Sequence, residues 1–222
     1  MAPIMPICAS RNRAAQRKAA VSTTRKSAIK SQGTDGRRLR SAASREAIVA
    51  AMFALVGEGD LRPSAQRIAD RAGLGIRTVF RHFDEMDRLY AEMTARLRSE
   101  LHPLVAGATP SGGLAKRARD LVARRCDIYE RTGPYMRSAA VHRMRSPFLQ
   151  KEHRETVEGM RSDLERWIPE ILGASAREAR AVEAAVSFEM WDRLRTVQQL
   201  GPKETREAVE TIVEALVSSS MK

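Results

Sequence analysis

Apolar residues recur at helical spacing along the chain from position 41 onward. In the segment 41–56 they fall on one helix face, and a glycine-rich stretch then ends the pattern. The apolar positions of this first predicted helix are Ile48, Val49, Met52, Leu55 and Val56. A short second helix is predicted from Ser64, which can cap it, to Arg71, and Gly73 then allows the chain to turn.

Two further helices are predicted before the first long loop. One covers 75–83, and the next begins at Asp84, with Asp87 three residues on as a partial capping box. Its apolar positions repeat every four residues, at Leu89, Met93, Leu97 and Leu101. The glycine-rich and proline-containing stretch 107–113 then predicts a loop.

The rest of the chain continues the helical pattern. A helix over 114–129 is expected to break at Gly133-Pro134, and a shorter helical piece then runs to Ser146-Pro147. Three more helices are predicted over 148–168, 176–199 and 203–218. No segment alternates apolar and polar residues as a strand does, so the sequence predicts an all-α fold of about nine helices.

Positive charge is concentrated at the N-terminus. The formal net charge is +12, and residues 1–40 hold +9 of it through ten basic residues and one acidic residue. This segment has no sustained apolar period, so we expect it to be disordered. The charge indicates an anionic partner, either nucleic acid or an acidic membrane surface. A DNA-binding arm, a solvated tail and a start codon placed too far upstream all remain open for it.

Other classes of protein find little support in the composition. Cys8 and Cys126 provide neither a disulfide framework nor a pair of zinc ligands. No apolar run approaches the roughly 20 residues that span a bilayer, and no signal-peptide pattern begins the chain. The four histidines lack metalloprotease spacing, and no phosphate-binding loop is present. We therefore expect a cytoplasmic protein, nucleoid-associated when bound to DNA, with no catalytic residues, cofactor, metal or membrane partner.

The stretch 68–83 has the layout of a helix-turn-helix: a short helix, a tight turn with glycine, and a second short helix. This spacing lets the second helix enter a major groove about 12 Å wide while the first helix packs behind it. Three apolar residues can lock the second helix in place, namely Leu74, Val79 and Phe83. The positions left exposed are Arg77, Thr78, Arg81 and His82.

These residues carry a resemblance to a known family. The run IADRAGLGIRTVFRHFDEMDRLY is similar to the DNA-binding signature of the tetracycline-repressor (TetR) family, roughly I-A-x-x-A-G-V-S-x-x-T-L-Y-x-H-F-x-x-K-x-x-L. The similarity extends from Ile48 to Leu89, and the run WDRLRTVQQLGPKE resembles the usual join between the family's last two helices. The coupled turn, T-V-F-x-H-F block and following amphipathic helix make the resemblance specific.

The resemblance implies which side chains meet DNA. Ser64 and Gln66 would contact phosphate at the start of the first motif helix, and His82 would donate to phosphate. Ile76 and Arg77 would face the major groove, where arginine can pair bidentately with guanine. The full set of implied DNA-binding residues is Ser64, Gln66, Ile76, Arg77, Thr78, Phe80, Arg81 and His82.

Three positions depart from the family's pattern. Gly75 replaces a capping Ser or Thr, Phe80 replaces a Tyr, and Met86 replaces a Lys. Two phosphate contacts are therefore missing, and we hypothesise that the basic N-terminal arm compensates for them. Deleting residues 2–36 tests this idea, because an unchanged dependence of operator affinity on salt would rule it out.

The last two predicted helices each show one apolar stripe. In the resembling family such a pair meets its twofold mate in a four-helix bundle, and a symmetric dimer reads two half-sites. The residues expected at this interface are Val186, Met190, Leu194, Val197, Val209, Ile212, Val213 and Leu216. The alternative is that both stripes cover only the chain's own core.

The middle helices carry candidate ligand-binding residues where the resembling family has its effector pocket. They are Tyr129, Met136, His142, Phe148, Trp167 and Phe188. Taken singly, each of them fits a core residue better than a ligand contact. The many arginines here could favour an acidic effector, although a run of charges is usually a solvated helix face.

The sequence thus predicts a basic tail (1–40), a DNA-binding domain (41–87) and a domain for effector binding and dimerisation (88–222). The expected function is sequence-specific transcriptional regulation. We expect a homodimer that represses from a palindromic operator in double-stranded DNA and is released by an unidentified small molecule. The alternatives are an architectural DNA-coating protein without sequence preference and an enzyme built on a helical bundle.

Overall fold

The computed structural model describes residues 36–83 and 86–220, and every regular element within these ranges is helical. In chain order the elements are α1 (36–57), α2 (Ala65–Ala72), α3 (Ile76–His82), α4 (Met86–Ala106), α5 (Leu114–Arg143), α6 (Pro147–Trp167), a 3-10 helix (Pro169–Gly173), α7 (Ala176–Ala185), α8 (Phe188–Thr196) and α9 (Pro202–Ser220). The predicted all-α class is confirmed.

Helices α1 to α3 share one apolar core with the start of α4. Ile48, Met52 and Val56 of α1 are completely buried, as are Ile68 of α2 and Leu89 of α4. Burial of these side chains stabilises the small three-helix unit, since each contributes about 1.5–3 kcal/mol. Leu149 of α6 belongs to the same core, so the unit is packed directly onto the rest of the chain.

A second core lies among α5 to α9. Helix α9 packs along α5 and α7, and α5 also packs on α6 and α8. Its largest fully buried side chain is Tyr129 of α5, and Leu121 and Leu164 are completely or almost completely buried beside it. Helix α4 bridges the two cores, because it contacts both α5 and α6.

The N-terminal boundary differs from the prediction. Residues 36–40, predicted as the end of a disordered tail, form the first turn of α1, which therefore begins before position 41. The tail prediction otherwise falls on residues 1–35, which lie outside the described residues. The same holds for Asp84 and its predicted role as a helix cap.

The predicted helix break at Gly133-Pro134 is wrong, because α5 runs through both residues. Gly133 is buried against the ring of Trp191, and a Cβ atom there would come within 2.8 Å of the Trp191 Cη2 atom. The absence of a side chain at Gly133 therefore allows α8 to pack closely on α5. Packing of α5 on four neighbouring helices outweighs the hydrogen bond that Pro134 cannot make.

The single helix predicted over 176–199 is also wrong, because it divides at Val186 and Ser187 into α7 and α8. The Ser187 hydroxyl accepts a hydrogen bond from the Met190 N–H at 3.2 Å and so caps α8. The carbonyl oxygen of Val186 is free of the helical ladder and accepts from Tyr129 Oη at 2.9 Å. A stripe of apolar residues that continues through a short break cannot reveal the break.

Candidate nucleic-acid interface and ligand cavity

Helix α2 begins with a side-chain cap. Ser64 Oγ accepts from the Arg67 N–H at 3.2 Å, as the sequence indicates for a helix start. Gln66 is exposed on the first turn, and its Nε2 atom donates to Asp70 Oδ1 at 2.7 Å. Both predicted phosphate contacts are thus on the surface at the N-terminus of α2, where partial positive charge favours an anion.

The turn between α2 and α3 requires glycine. Gly73 has a φ of +66°, a left-handed conformation that glycine adopts without a steric penalty. Its N–H donates to the carbonyl oxygens of Ala69 and Asp70, and the Leu74 N–H follows to Ala69 O at 3.0 Å. These bonds close α2 and direct the chain into α3.

Helix α3 divides into a packed face and an exposed face. Val79 and the residue after the helix, Phe83, are buried in the first core. Arg77 and Arg81, one helical turn apart, are exposed, and 56% of Phe80 is exposed. Helix α3 therefore presents a cationic strip to solvent, with its apolar side against α1 and α2.

The remaining predicted residues of α3 are less accessible. Ile76 is half-buried and packs against the first core, so its side chain reaches solvent less freely than that of Arg77. Thr78 and His82 are half-buried. Gly75 precedes α3 without a side-chain cap, as its lack of a hydroxyl requires.

His82 lies in a cationic and partly desolvated environment. Its pKa is lowered chiefly by burial, with further contributions from the positive charges of Arg81 and Arg45. The Arg45 guanidinium also lies over the Phe83 ring, 5.6 Å from the ring centroid. Nε2 of His82 is buried and has no hydrogen-bond partner within residues 36–83 and 86–220.

The arginines of this region are only partly neutralised. Arg67 pairs with Asp60 at 2.6 Å, and Arg71 pairs with Glu58. In the described part of the chain, no carboxylate pairs with Arg77 or Arg81. The exposed face of α3 thus keeps its positive charge available to an anion.

Specific contacts join the three-helix unit (α1, α2 and α3) to the remaining helices and join those helices to one another. Ser138 Oγ of α5 donates to Leu61 O at 2.9 Å, in the loop before α2. Tyr135 of α5 stacks on Phe53 of α1, with ring centroids 4.3 Å apart. Ser146 Oγ donates to Asp87 Oδ1 at 2.6 Å, which ties the start of α6 to the start of α4. These contacts fix the three-helix unit to α5 and fix the start of α4 to the start of α6.

A cavity of about 940 Å³ lies among α4, α5, α6 and α8. Three of the predicted pocket residues, Tyr129, Met136 and Phe188, line it. Burial raises the pKa of Tyr129 to about 12, so its hydroxyl is a neutral donor. Tyr129 and Phe188 meet edge to face, with ring centroids 5.7 Å apart. The volume falls within the range of small-molecule sites.

The other three predicted pocket residues lie outside the cavity wall. Trp167 is buried in the second core with the Arg124 guanidinium 5.1 Å from its ring centroid. Phe148 packs against the first core, and the ring of His142 lies 5.4 Å from that of Tyr90. They are core or junction residues, which is the alternative that the sequence left open for them.

Sequence reasoning missed two parts of the wall. The apolar face of α4 supplies Met93, Leu97 and Leu101, whose periodicity could have indicated a second buried surface. The wall also contains Arg124 and Arg125, which no pattern in the sequence distinguishes from solvated arginines.

The predicted dimer residues divide into two groups in the single chain. Four of them are buried in its own second core: Val186, Leu194, Val209 and Val213. Met190, Ile212 and Leu216 are half-buried, whereas 64% of Val197 is exposed. Only the second group retains surface that another molecule could cover.

Neither a membrane-spanning helix nor a metal site occurs within the described ranges. None of the helices described is both long enough and apolar enough to cross a membrane. Across 36–83 and 86–220, no three His, Cys, Asp or Glu side chains converge to hold a metal ion.

The architecture is similar to those of solved transcriptional regulators. One from a Rhodococcus species has a TM-score of 0.62 at 20% identity, over 80% of this chain and 98% of that chain. A provisionally assigned TetR-family regulator from Mesorhizobium loti has a TM-score of 0.57 at 16% identity, over 82% of this chain and 99% of that chain. A provisionally assigned regulator from Streptomyces coelicolor has a TM-score of 0.51 at 23% identity, over 77% of this chain and 98% of that chain. No protein-family model and no curated protein matches the sequence.

At these identities the likeness concerns the fold, and it extends over nearly the whole length of each solved chain. The resemblance that the motif indicated is confirmed at that level. The chain has the all-helical fold of TetR-type transcriptional regulators.

Proposed function

We propose that the chain is a TetR-family transcriptional regulator, which reads a palindromic operator as a homodimer and leaves it when a small molecule occupies the cavity. The observation that carries the proposal is the exposed face of α3, where Arg77 and Arg81 lie one turn apart without a carboxylate partner among the described residues. The shared fold supports the same function.

The geometry of α3 supports recognition of DNA. An unpaired, exposed guanidinium can donate two hydrogen bonds to the O6 and N7 atoms of guanine, a contact worth about 1–3 kcal/mol in discrimination. Arg77 lies in the first turn of α3, the part of a recognition helix that meets base edges. Ser64, Gln66 and His82 would then bind phosphates on either side of the groove and fix the register.

The walls of the cavity support release by a ligand. Leu61, Tyr135 and Ser138 line the cavity and also make the contacts that join α5 to the three-helix unit. A ligand that moves any of these residues changes the position of α3 relative to its twofold mate. Operator affinity then falls by the coupling free energy, typically about 1–3 kcal/mol. Repression results where the operator overlaps a promoter.

We place the dimer contact on the outward side of α8 and α9. Thr211 and Ala215 are exposed along α9, with Ile212 half-buried between them, and Val197 is exposed just after α8. Small side chains on α9 would allow a partner helix to approach closely. Two copies of α3 could then read two half-sites about one helical turn of DNA apart.

Selection of binding sites from random duplex DNA tests the function directly. We expect the purified protein to enrich one inverted repeat and to protect that repeat alone in a footprint. An architectural protein would instead protect every duplex uniformly and enrich none. Uniform protection would therefore overturn the proposal of sequence-specific regulation.

The dimer is tested by the variant Ala215→Arg, with Ala95→Arg on the exposed face of α4 as its matched control. We expect Ala215→Arg to give a folded monomer in sedimentation and to bind a single half-site only weakly. Ala95→Arg should stay dimeric. A dimeric Ala215→Arg protein would show that α9 does not form the interface.

A further inference from the structure

Buried positive charge exceeds buried negative charge on one part of the cavity wall, where α5 passes α6. Three guanidinium groups surround the carboxylate of Asp163, belonging to Arg124, Arg125 and Arg166. The side chains of Arg124 and Arg125 are only 10% and 6% exposed, whereas that of Arg166 is 46% exposed and can be hydrated. One carboxylate thus serves two buried cations.

Arg125 is held in place by neutral groups. It donates to Val186 O at 3.1 Å and to Met160 O at 2.5 Å, and its distance to Asp163 is 3.8 Å. Carbonyl oxygens satisfy its N–H groups without neutralising its charge. A buried charge without an equal and opposite partner is costly, so such an arrangement favours a bound anion.

Arg124 supplies the second observation. Its guanidinium pairs with Asp163 and lies over the ring of Trp167, 5.1 Å from the centroid. Its Nε atom is nevertheless buried and has no hydrogen-bond partner in the part of the chain that the structure describes. Arg124 also lines the cavity, so a ligand carboxylate there can approach a guanidinium whose hydrogen bonds the chain satisfies only in part.

The other charges of the wall are either balanced or hydrated. Arg137 pairs with Asp192 at 2.6 Å, and Arg98 pairs with Glu152 at 2.7 Å. Two further arginines of the wall reach solvent, since Arg143 is half-buried and Arg193 is exposed. The excess of buried charge is therefore confined to Arg124 and Arg125.

Most of the remaining surface of the cavity is apolar. Helix α4 contributes a continuous row of aliphatic and thioether side chains, and aromatic rings from α5 and α8 face it across the space. These residues are Met93, Leu97, Leu101, Val105, Tyr129 and Phe188. A ligand with an extended apolar body would bury its surface here, and burial contributes about 25 cal/mol per Å² of apolar area.

We propose that the cavity binds a monocarboxylate with an apolar body, whose carboxylate accepts hydrogen bonds from Arg124 and Arg125. This inference deepens the proposed function, because it rests on the cavity being the effector site and names the chemical class of the effector. The ligand carboxylate would share the two guanidinium groups with Asp163. It would neutralise the one positive charge of the arginine pair that Asp163 does not balance.

Calorimetric titration of the full chain with three matched probes tests the ligand class. Decanoate, decanol and decylamine share one alkyl chain and differ in the charge of the end group. We expect decanoate to bind at least about tenfold more tightly than the other two, since a hydrogen bond to a charged partner contributes that much. Phenylbutyrate and phenylbutanol repeat the comparison for an aromatic body.

Three variants locate the carboxylate. Arg124→Gln should weaken decanoate binding by about tenfold to a hundredfold and leave decanol binding unchanged. Asp163→Asn, which removes the competing carboxylate, should instead tighten decanoate binding severalfold. The matched control is Arg119→Gln, since Arg119 lies on the same helix, pairs with Glu214 at 3.1 Å and does not line the cavity.

Several results would overturn the inference. One is equal binding of decanoate and decanol, and another is an unchanged preference in both Arg124→Gln and Asp163→Asn. Lack of binding by decanoate and phenylbutyrate at about 1 mM would exclude the ligand class. These titrations contain no DNA, so their failure leaves the operator experiment intact. Carboxylate binding by a protein that selects no DNA sequence would instead refute the proposed function alone.

Discussion

The three-helix unit of residues 36–83, which we propose binds DNA and call the DNA-facing region, and the cavity-bearing helices use arginine in opposite ways. Residues 36–83 contain nine basic and four acidic residues, a net charge of +5, whereas residues 84–222 carry a net charge of only +1. In the first region Arg77 and Arg81 are exposed without carboxylate partners among the residues described. In the second, Arg124 and Arg125 are buried around a single carboxylate.

The difference indicates two kinds of anionic partner. Exposed cations along a surface suit a polyanion whose phosphates exchange counterions with solvent, and such binding weakens with salt. A buried cation at the wall of a cavity suits one small anion, and salt screens that contact much less. Charge alone would not separate the two cases, because burial decides which partner can reach the guanidinium.

The largest expected effect concerns the close packing that shapes the cavity region. Gly133→Ala should lower the free energy of unfolding by about 1–3 kcal/mol, because its Cβ would meet the Trp191 ring at 2.8 Å. The matched control is Gly159→Ala in α6, where no atom other than those of the adjacent residues and the nearby helix backbone lies within 4 Å of the new Cβ. In Gly159→Ala the free energy of unfolding should rise by about 0.5–1 kcal/mol, since alanine is the better helix former. Urea denaturation of both variants checks the pair, and equal stabilities would contradict the packing account.

The second prediction concerns the salt dependence of the DNA-facing region. Arg37, Arg38 and Arg40 are exposed on the first turn of α1. Changing all three to Gln should reduce the slope of log affinity against log salt by about 0.9 for each phosphate that the protein no longer neutralises. The control is the double variant of Arg177 and Arg180, which are exposed on α7. If the triple variant keeps the wild-type slope, the first turn of α1 does not bind phosphate.

The smallest expected effect is the pH dependence of operator binding. The pKa of His82 in the free protein is lowered by burial and by Arg81 and Arg45, and a phosphate would raise it in the complex. Binding therefore takes up a proton, and affinity should rise by up to about tenfold as the pH falls from about 8 to about 6. His82→Gln should flatten this dependence.

His153→Gln is the control for the pH experiment. The pKa of His153 is also lowered chiefly by burial, but this residue lines the cavity and not the face of α3. Its replacement should leave the pH dependence of DNA binding as in the wild type. A steep dependence that survives in His82→Gln would assign the proton to another group.

Local signals made the DNA-facing region predictable. The Ser64 cap, the left-handed Gly73 and the apolar positions Val79 and Phe83 each act within a few residues, and the structure has all four as expected. The all-α class followed in the same way from periodicity. Three residues of α3 are less accessible than predicted, because Ile76, Thr78 and His82 are half-buried.

Long-range packing made the cavity region harder to predict. The sequence placed a break at Gly133, whose lack of a side chain instead admits Trp191, a residue far along the chain. It missed the break at Val186, whose carbonyl is satisfied by Tyr129 from another helix. Burial of Arg124 depends on α6 as well, so nothing close in sequence distinguishes it from a solvated arginine.

The central claim is that the exposed face of α3 reads DNA sequence, and one affinity ratio tests it most directly. The measurement compares the selected palindrome with a scrambled duplex at one salt concentration, for the wild type, for the double variant Arg77→Ala, Thr78→Ala and for the control Arg180→Ala. We expect the double variant to lose about tenfold or more of the wild-type ratio while it remains folded, and the control to keep it. A folded double variant with an undiminished ratio would contradict the account.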